Sequence, residues 1–200
     1  MVSMRLLLYS GGLDSTALAW SQRPDLCLTI DYGQRPAKGE IRAASGLSGL
    51  MKLRHEVLTV DLAHLGSGSL AGSEAATVGS APEWWPYRNQ MLITLTAMKF
   101  VGQGLQEIMF GAVATDVHAD GKKPFVDAIN ALVSIQEGGV RITAPAIDTD
   151  PVDLIRDSGV PKSLLGATFS CHVAEYTCGR CRGCEKHADT MRELAGEAAR

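Results

Sequence analysis

Residues 4–20 read MRLLLYSGGLDSTALAW, and this stretch decides the fold. Its first half is a short continuous apolar run, which predicts a buried strand at Arg5–Tyr9. The two glycines that follow allow a tight turn, and Asp14 or Ser15 can then cap a helix over Thr16–Gln22. A strand, a glycine-rich turn and a helix N-terminus form a phosphate-binding geometry, because unpaired N–H groups and the helix dipole both point at the anion.

Further apolar runs alternate with helical patterns along the chain, which predicts an α/β fold, a doubly wound parallel sheet with helices on both faces. The other predicted strands are Leu26–Asp31, His55–Asp61 and Glu107–Gly111. The predicted helices are about Lys38–Lys52, Asn89–Val101, the segment after Pro124, a segment from Asp150 to Gly159, and about Glu185–Ala198. In Asn89–Val101 the run MLITLTAMKF is apolar almost all round, so this helix is expected to be buried.

Ligands of such sheets bind at the carboxyl ends of the strands. Three of the predicted strands end in polar or glycine-containing segments, at Ser10–Ser15, Asp31–Arg35 and Gly111–Asp116. The sequence therefore predicts that these segments converge on one crevice.

The 200 residues predict one nucleotide-binding domain, residues 1–160, and a small C-terminal helical module, residues 161–200. With a net charge of −3 and a pI of about 5.9, a generic basic surface for nucleic acid is not indicated. No signal-peptide pattern and no apolar stretch of membrane-spanning length is present, so a cytoplasmic location is expected. The long Gly-, Ser- and Ala-rich connection at residues 62–88 is expected to fold back on the body through Trp84 and Trp85.

Four of the five cysteines crowd the C-terminal end in a C-x6-C-x2-C-x2-C pattern. They are Cys171, Cys178, Cys181 and Cys184. Pairs with C-x2-C spacing deliver two thiolates from one tight turn, as a tetrahedral zinc site needs, and a filled set of four favours a structural metal. An iron–sulfur cluster and a redox-active pair are the alternatives. Cys27 lies alone in an apolar run and is interpreted as a buried strand residue.

These segments together resemble a known family. Ser10–Thr16 is similar to the pyrophosphate-binding (PP) loop of the adenylating ATP-dependent superfamily. The motifs DYGQR at 31–35, RN at 88–89, TD at 115–116 and the terminal CGxCxxC resemble the 7-cyano-7-deazaguanine synthase family of the queuosine precursor pathway. The resemblance runs, with gaps, over nearly the whole chain, and the order of all five motifs is specific.

The resemblance implies that a carboxylate on a 7-deazaguanine is adenylated by ATP with Mg²⁺ and converted with ammonia, through an amide, to the nitrile. It implies ATP-binding roles for Ser10, Gly11, Gly12, Leu13, Asp14, Ser15, Thr16, Arg88 and Asn89. It implies catalytic roles for Asp14, Ser15, Arg35 and Asp116, zinc on the four cysteines, and a homodimer. From the residues alone, Arg35 could equally be a surface arginine at a helix start and Asn89 a helix cap.

The chain departs from the family pattern in the acceptor half. The departures are Pro36 for a histidine, Ala114 for a glutamate, residues 117–124 for an aromatic and acidic stretch, and Pro151 for a lysine. Lys122 or Lys123 could supply the missing charge. Three alternatives therefore stay open: a homologue that transfers the activated carboxylate to another amine, for example on a protein; a tRNA-modifying enzyme of the superfamily; and a non-catalytic nucleotide-binding subunit.

Overall fold

A computed structural model describes residues 3–78 and 81–196 of the chain. All the strand pairings it contains are parallel, and the strands lie in the order β3-β2-β1-β4-β5. The strands are β1 (Met4–Leu8), β2 (Leu26–Asp31), β3 (His55–Thr59), β4 (Leu105–Met109) and β5 (Arg141–Thr143). The first four match the predicted strands to within two residues at each end, whereas β5 was not predicted.

Helices connect the strands and cover the sheet. They are α1 (Leu13–Gln22), α2 (Ala37–Met51), α3 (Gly68–Ala71), α4 (Arg88–Phe100), α5 (Lys123–Ser134), α6 (Pro151–Ser158), α7 (Lys162–Leu165) and α8 (Arg182–Leu194). Short 3-10 turns lie at Ala63–Leu65, Val101–Gln103 and Ala119–Gly121. The last residues of the predicted terminal helix, 197–198, lie outside the described residues. Among the described residues no helix has the length and hydropathy that a membrane crossing requires.

Side-chain alternation along β1 divides the interior into two cores, as expected when successive residues of a strand face opposite sides of the sheet. Leu6 lies in a core with Ile93 of α4 and Ile129 of α5. Leu7 lies in a second core, on the other face, with residues of α1, α2 and α6. Helices thus cover both faces of a parallel sheet, which confirms the predicted doubly wound α/β class.

The prediction that α4 is buried all round is wrong. The helix buries one face, through Ile93, Thr96 and Phe100. On the opposite face Met98 is 71% exposed. The many apolar residues of MLITLTAMKF overstate burial, because a single layer of helices on the sheet leaves the outer side of each helix open to solvent.

Two helix ends show how local sequence sets the boundaries. The Asp150 carboxylate accepts a hydrogen bond from Val152 N at 2.8 Å, Pro151 is the first helical residue of α6, and Gly159 ends it at φ +67°. These cap predictions are confirmed. The predicted cap of α1 is wrong, because α1 begins at Leu13 with Gly12 as its N-cap, and Asp14 and Ser15 lie inside the first turn.

The end of the long connection, residues 81–88, folds back on the body, as predicted. Trp85 is fully buried and packs edge-to-face on Tyr32, with ring centroids 4.8 Å apart. Cys27 is also fully buried within β2. The end of the connection thereby forms a wall next to the carboxyl end of β2.

Candidate active site

A cavity of about 360 Å³ lies at the carboxyl ends of β1, β2 and β4. The strand order reverses between β1 and β4, and such a reversal leaves a crevice where ligands bind in doubly wound sheets. The turn after β1 forms the floor. The connection at 62–88, the start of α4, the segment at 115–121 and the cysteine segment form the walls.

The turn after β1 has an open backbone built by its two glycines. Gly11 has φ +75°, and a Cβ at this position would lie 2.7 Å from Ala44 N of α2. No side chain fits there, so the turn packs directly on α2. Ser15 Oγ donates a hydrogen bond to Gly12 O at 3.2 Å and lies 3.4 Å from Ser10 Oγ. The first N–H groups of α1 have no acceptor within the helix, so they are available to an anion in the cavity.

Most of the predicted site residues line this cavity. These are Ser10, Gly12, Leu13, Asp14, Ser15, Arg88, Asn89 and Asp116. Three others do not line it. The Thr16 hydroxyl lies 3.1 Å from the Tyr9 hydroxyl in the core, and Gly11 faces α2. The exposed Arg35 lies outside the cavity, with its side chain against Gly72.

Two carboxylates and a lysine meet beside the phosphate-binding turn. Lys186 Nζ of α8 lies 3.3 Å from Asp14 Oδ2. The Asp116 carboxylate accepts a hydrogen bond from Val113 N at 3.1 Å. Burial raises the pKa of Asp116, and the negative charge of Asp14 adds to that effect, while Lys186 opposes it. Two carboxylates that line a cavity next to a phosphate site are suitable donors for Mg²⁺.

Arg88, the first residue of α4, is a partly buried cation of the cavity. Burial works to lower its pKa, but Tyr32 and three carboxylates outweigh that effect and raise it. These carboxylates belong to Asp120, Glu40 and Asp116. Burial raises the pKa of Glu40 to about 7, although Gln34 Nε2 donates a hydrogen bond to it at 2.8 Å.

The alternative interpretation, in which Asn89 caps a helix, is wrong. Tyr87 is the N-cap residue of α4, and Asn89 lies in the first turn. Its backbone N–H and its side-chain amide donate to Asp120 Oδ2 and Asp120 O at 3.1 and 2.9 Å. These bonds attach the start of α4 to the segment that departs from the family pattern.

A second ionic cluster lines the opposite wall. Glu83 is buried, and its Oε1 lies 3.0 Å from Arg182 NH1 and 3.6 Å from His118 Nε2. Burial lowers the pKa of the neighbouring His172, while Glu83 opposes that change. The cluster joins three segments that are distant in sequence: the 62–88 connection, the 115–121 segment and the cysteine segment.

The four cysteines form one cluster with their sulfur atoms within 4.8 Å of one another. Cys178 Sγ lies 3.9 Å from Cys184 Sγ, and Cys181 Sγ lies 4.0 Å from Cys171 Sγ. Four thiolates at about 2.3 Å from a tetrahedral zinc would be about 3.8 Å apart, so these residues fit the ion. The backbone N–H of Arg180 is the main cause that lowers the pKa of Cys178 to about 6, which favours a thiolate.

The cysteine segment is part of the cavity. Phe169 N donates a hydrogen bond to Gly11 O of the phosphate-binding turn at 2.9 Å. A Cβ at Gly183 would lie 2.0 Å from Ser170 O, so only glycine allows α8 to pack this closely. His187 Nδ1 lies 3.1 Å from Ser170 Oγ, and both residues line the cavity. His172 and His187 are not in the cysteine cluster.

Several cavity residues were missed from sequence. Glu40, Glu83, His118, Arg182 and Lys186 line the cavity. Each is a single charged or polar residue in a loop or helix without a motif of its own, and tertiary contacts alone bring them together. The one available signal was the position of Arg182 and Lys186 beside the cysteines. Lys122 and Lys123, which were considered as replacement charges, are exposed and do not line the cavity.

The fold and site together define a class of protein. A parallel sheet with a glycine-built, anion-binding turn at its switch point is the arrangement with which doubly wound α/β proteins bind phosphate-bearing ligands. The family model described as "Queuosine biosynthesis protein QueC" matches residues 4–195. The chain belongs to the QueC family and is an ATP-dependent enzyme of that family.

Relatives named 7-cyano-7-deazaguanine synthase are similar over most of the chain. The protein of Pelotomaculum thermopropionicum is 32% identical over 206 residues, covering 90% of this chain and 92% of its own. The protein of Desulforudis audaxviator is 29% identical over 217 residues, covering 96% and 97%. At this level of identity the chain is a diverged member of the family.

A solved structure also matches most of the chain. It is titled the crystal structure of predicted subunit of tRNA methyltransferase from Methanocaldococcus jannaschii, with a TM-score of 0.48 and 12% identity. The comparison covers 98% of this chain and 90% of that chain.

Proposed function

We propose that the chain uses ATP to adenylate a carboxylate on a 7-deazaguanine and converts it with ammonia to the nitrile. The nitrile is the product that the names of its relatives give. The observation that carries this proposal is that the phosphate-binding turn and the partly buried Arg88 line one cavity. An adenylation site needs this arrangement, because it must hold two anions against each other, the α-phosphate of ATP and the acceptor carboxylate.

The triphosphate would lie on the turn after β1. The N–H groups at the start of α1 and the hydroxyls of Ser10 and Ser15 would bind the departing pyrophosphate. Asp14 and Asp116 would hold Mg²⁺, which supplies positive charge that neutralises the phosphate oxygens when it is bound. Arg88 would lie where the two substrates meet and neutralise charge that develops at the α-phosphate.

The acceptor would lie towards the Glu83 cluster. Arg182 and His118 are cationic or hydrogen-bonding groups on this wall, and Glu83 is a buried acceptor for the amino and imino hydrogens of a guanine-type ring. The residues of the departing segment that line the cavity are Val117, His118, Asp120 and Gly121. Arg35 is not included, because its side chain lies outside the cavity.

The proposed reaction has two steps, and each step uses one ATP. A carboxylate oxygen attacks the α-phosphorus, the bond to the β-phosphate breaks and pyrophosphate leaves. Ammonia attacks the acyl carbon, AMP leaves with the carboxylate oxygen, and the nitrogen loses a proton to give the amide. The amide oxygen then attacks a second ATP with loss of pyrophosphate. Loss of the two amide protons and departure of AMP with that oxygen leave the C≡N bond.

Zinc on the cysteine cluster would act in structure rather than in the reaction. All four corners of a tetrahedral site are filled by thiolates, so no open position remains for a substrate. Bound zinc would fix the start of α8 and, through Phe169 N, the position of the phosphate-binding turn. We extend the proposal to a homodimer in the cytoplasm, with small molecules as its substrates.

The test is mass spectrometry of a reaction that contains ATP, Mg²⁺, ammonium and 7-carboxy-7-deazaguanine. The nitrile and AMP should form with the wild type, and Asp14→Asn should form neither at a comparable rate. Asp157→Asn on the exposed side of α6 is the matched control and should behave as the wild type. Formation of AMP without the nitrile would indicate that the activated carboxylate is transferred to an amine other than ammonia. If no AMP forms, the proposed adenylation is wrong.

A further inference from the structure

The phosphate-binding turn contains no cation of its own. Residues Ser10–Thr16 include neither lysine nor arginine. A triphosphate brings several negative charges, and backbone N–H groups with a helix dipole offset only part of them. A basic side chain from elsewhere in the chain would complete the site.

Among the described residues, the lysine and arginine side chains that line the cavity are Arg88, Arg182 and Lys186. Arg88 is surrounded by Tyr32 and carboxylates, and Arg182 is paired with Glu83 on the opposite wall. Lys186 is the cation beside the turn, with its Nζ 3.3 Å from Asp14 Oδ2. The position of Lys186 therefore differs from that of the two arginines.

The Lys186–Asp14 contact differs from an ordinary surface ion pair. It joins residues 172 positions apart, and both of them line the cavity. Both charges also act on the carboxyl group of Asp116. Lys186 lowers the pKa of this group, and Asp14 raises it. The charge of Lys186 thus offsets the negative charges of Asp14 and Asp116.

We propose that Lys186 is a phosphate-binding residue that α8 supplies to the ATP site, an inference that rests on the proposed function of the turn. When Mg²⁺ and ATP bind, the carboxylates of Asp14 and Asp116 contact the metal. Lys186 leaves Asp14 and pairs with the phosphate oxygens that depart as pyrophosphate. Its side chain is 44% exposed and its Nζ already lies beside the turn, so a short rotation of the flexible stem reaches a phosphate bound there.

This assignment gives the cysteine module a direct part in ATP binding. Lys186 lies two residues after Cys184, near the start of α8. The helix begins within the cysteine cluster, so the metal site sets where the lysine projects. The module then contributes a cation to the site rather than only a wall.

The test measures binding of Mg²⁺ with inorganic pyrophosphate by calorimetry, independently of any acceptor. Lys186→Met should weaken pyrophosphate binding at least tenfold, while Lys186→Arg should recover most of the loss because it keeps the charge. Lys162→Met on α7 is the matched control, because Lys162 is exposed and does not line the cavity, and it should bind like the wild type. Zinc content and the melting temperature of each variant show that the module remains folded.

Wild-type affinity in Lys186→Met would overturn the inference. An arginine variant as weak as the methionine variant would also overturn it, because the charge would then not be what matters. Failure of the proposed function has a different signature: wild-type protein would bind pyrophosphate but form no AMP with the deazaguanine carboxylate.

Discussion

At the scale of single residues, charged side chains join the walls of the cavity. Glu83 and Arg182 form a pair with a 3.0 Å N–O distance, in which the glutamate is buried and the arginine is half-exposed. The pair links the 62–88 connection to the cysteine module. The coupling energy between the two side chains therefore reports how strongly these two walls of the cavity are held together.

We expect a coupling energy of about 1 kcal/mol in a double-mutant cycle of Glu83→Ala and Arg182→Ala, read from urea unfolding. The Lys123–Asp127 pair is a matched control, because both of its side chains are about two-thirds exposed, and its coupling should stay below about 0.5 kcal/mol. Equal coupling in the two cycles would contradict the link between the walls.

Glu40 predicts how stability depends on pH. Its pKa is raised to about 7 in the folded protein from an ordinary value of 4.5, so the folded state binds the proton more tightly. The resulting stabilisation is complete below about pH 4.5 and is lost as the pH rises through 7. Glu40→Gln copies the protonated form, so its stability relative to the wild type should rise by up to about 3 kcal/mol from pH 4.5 to 8.

Chemical unfolding of both proteins at a series of pH values checks this prediction. The comparison cancels titrations that the two proteins share. A stability difference that does not change between pH 4.5 and 8 would contradict the raised pKa of Glu40.

At the scale of elements, the sequence predicted what local patterns determine. Leu26–Asp31 was placed with its observed bounds because its apolar run is continuous, and α6 because Asp150 and Gly159 are strong end signals. The strand β5 was missed since three residues carry no periodicity. Burial of α4 was overestimated, because the sequence does not tell how many layers cover a helix.

The cap of α6 gives a prediction for a single element. Asp150→Ala removes the hydrogen bond to Val152 N and should lower the free energy of unfolding by about 1 kcal/mol. Asp157→Ala, in the exposed last turn of the same helix, is the control and should change stability by less than about 0.5 kcal/mol. Thermal and urea unfolding check both variants.

The cysteine module gives a second prediction at this scale. The purified protein should contain about one zinc per chain, and Cys171→Ser should lose it. Cys27→Ser is the matched control, because Cys27 is buried in β2 outside the cluster, and it should keep the metal. Visible absorption from iron–sulfur charge transfer in place of zinc would contradict the assignment of the ion.

At the scale of the whole molecule, the chain brings distant segments to one cavity. The phosphate-binding turn and the four cysteines were predicted, because each is a compact motif with a chemical reason for its spacing. Glu83, His118 and Lys186 were not, because their roles depend on which segments the fold places opposite one another. The division into residues 1–160 and 161–200 stays a prediction, and the hydrogen bond from Phe169 to Gly11 links the two parts.

Adenylation of the acceptor carboxylate transfers one of its oxygen atoms to the phosphate of AMP, and this transfer can be measured. The substrate 7-carboxy-7-deazaguanine, labelled with ¹⁸O in its carboxylate, is incubated with the protein, ATP, Mg²⁺ and ammonium, and AMP is analysed by mass spectrometry. The account predicts that each AMP carries one ¹⁸O, because its phosphate keeps the oxygen that attacked it. Unlabelled AMP, or label in inorganic phosphate, would contradict the account.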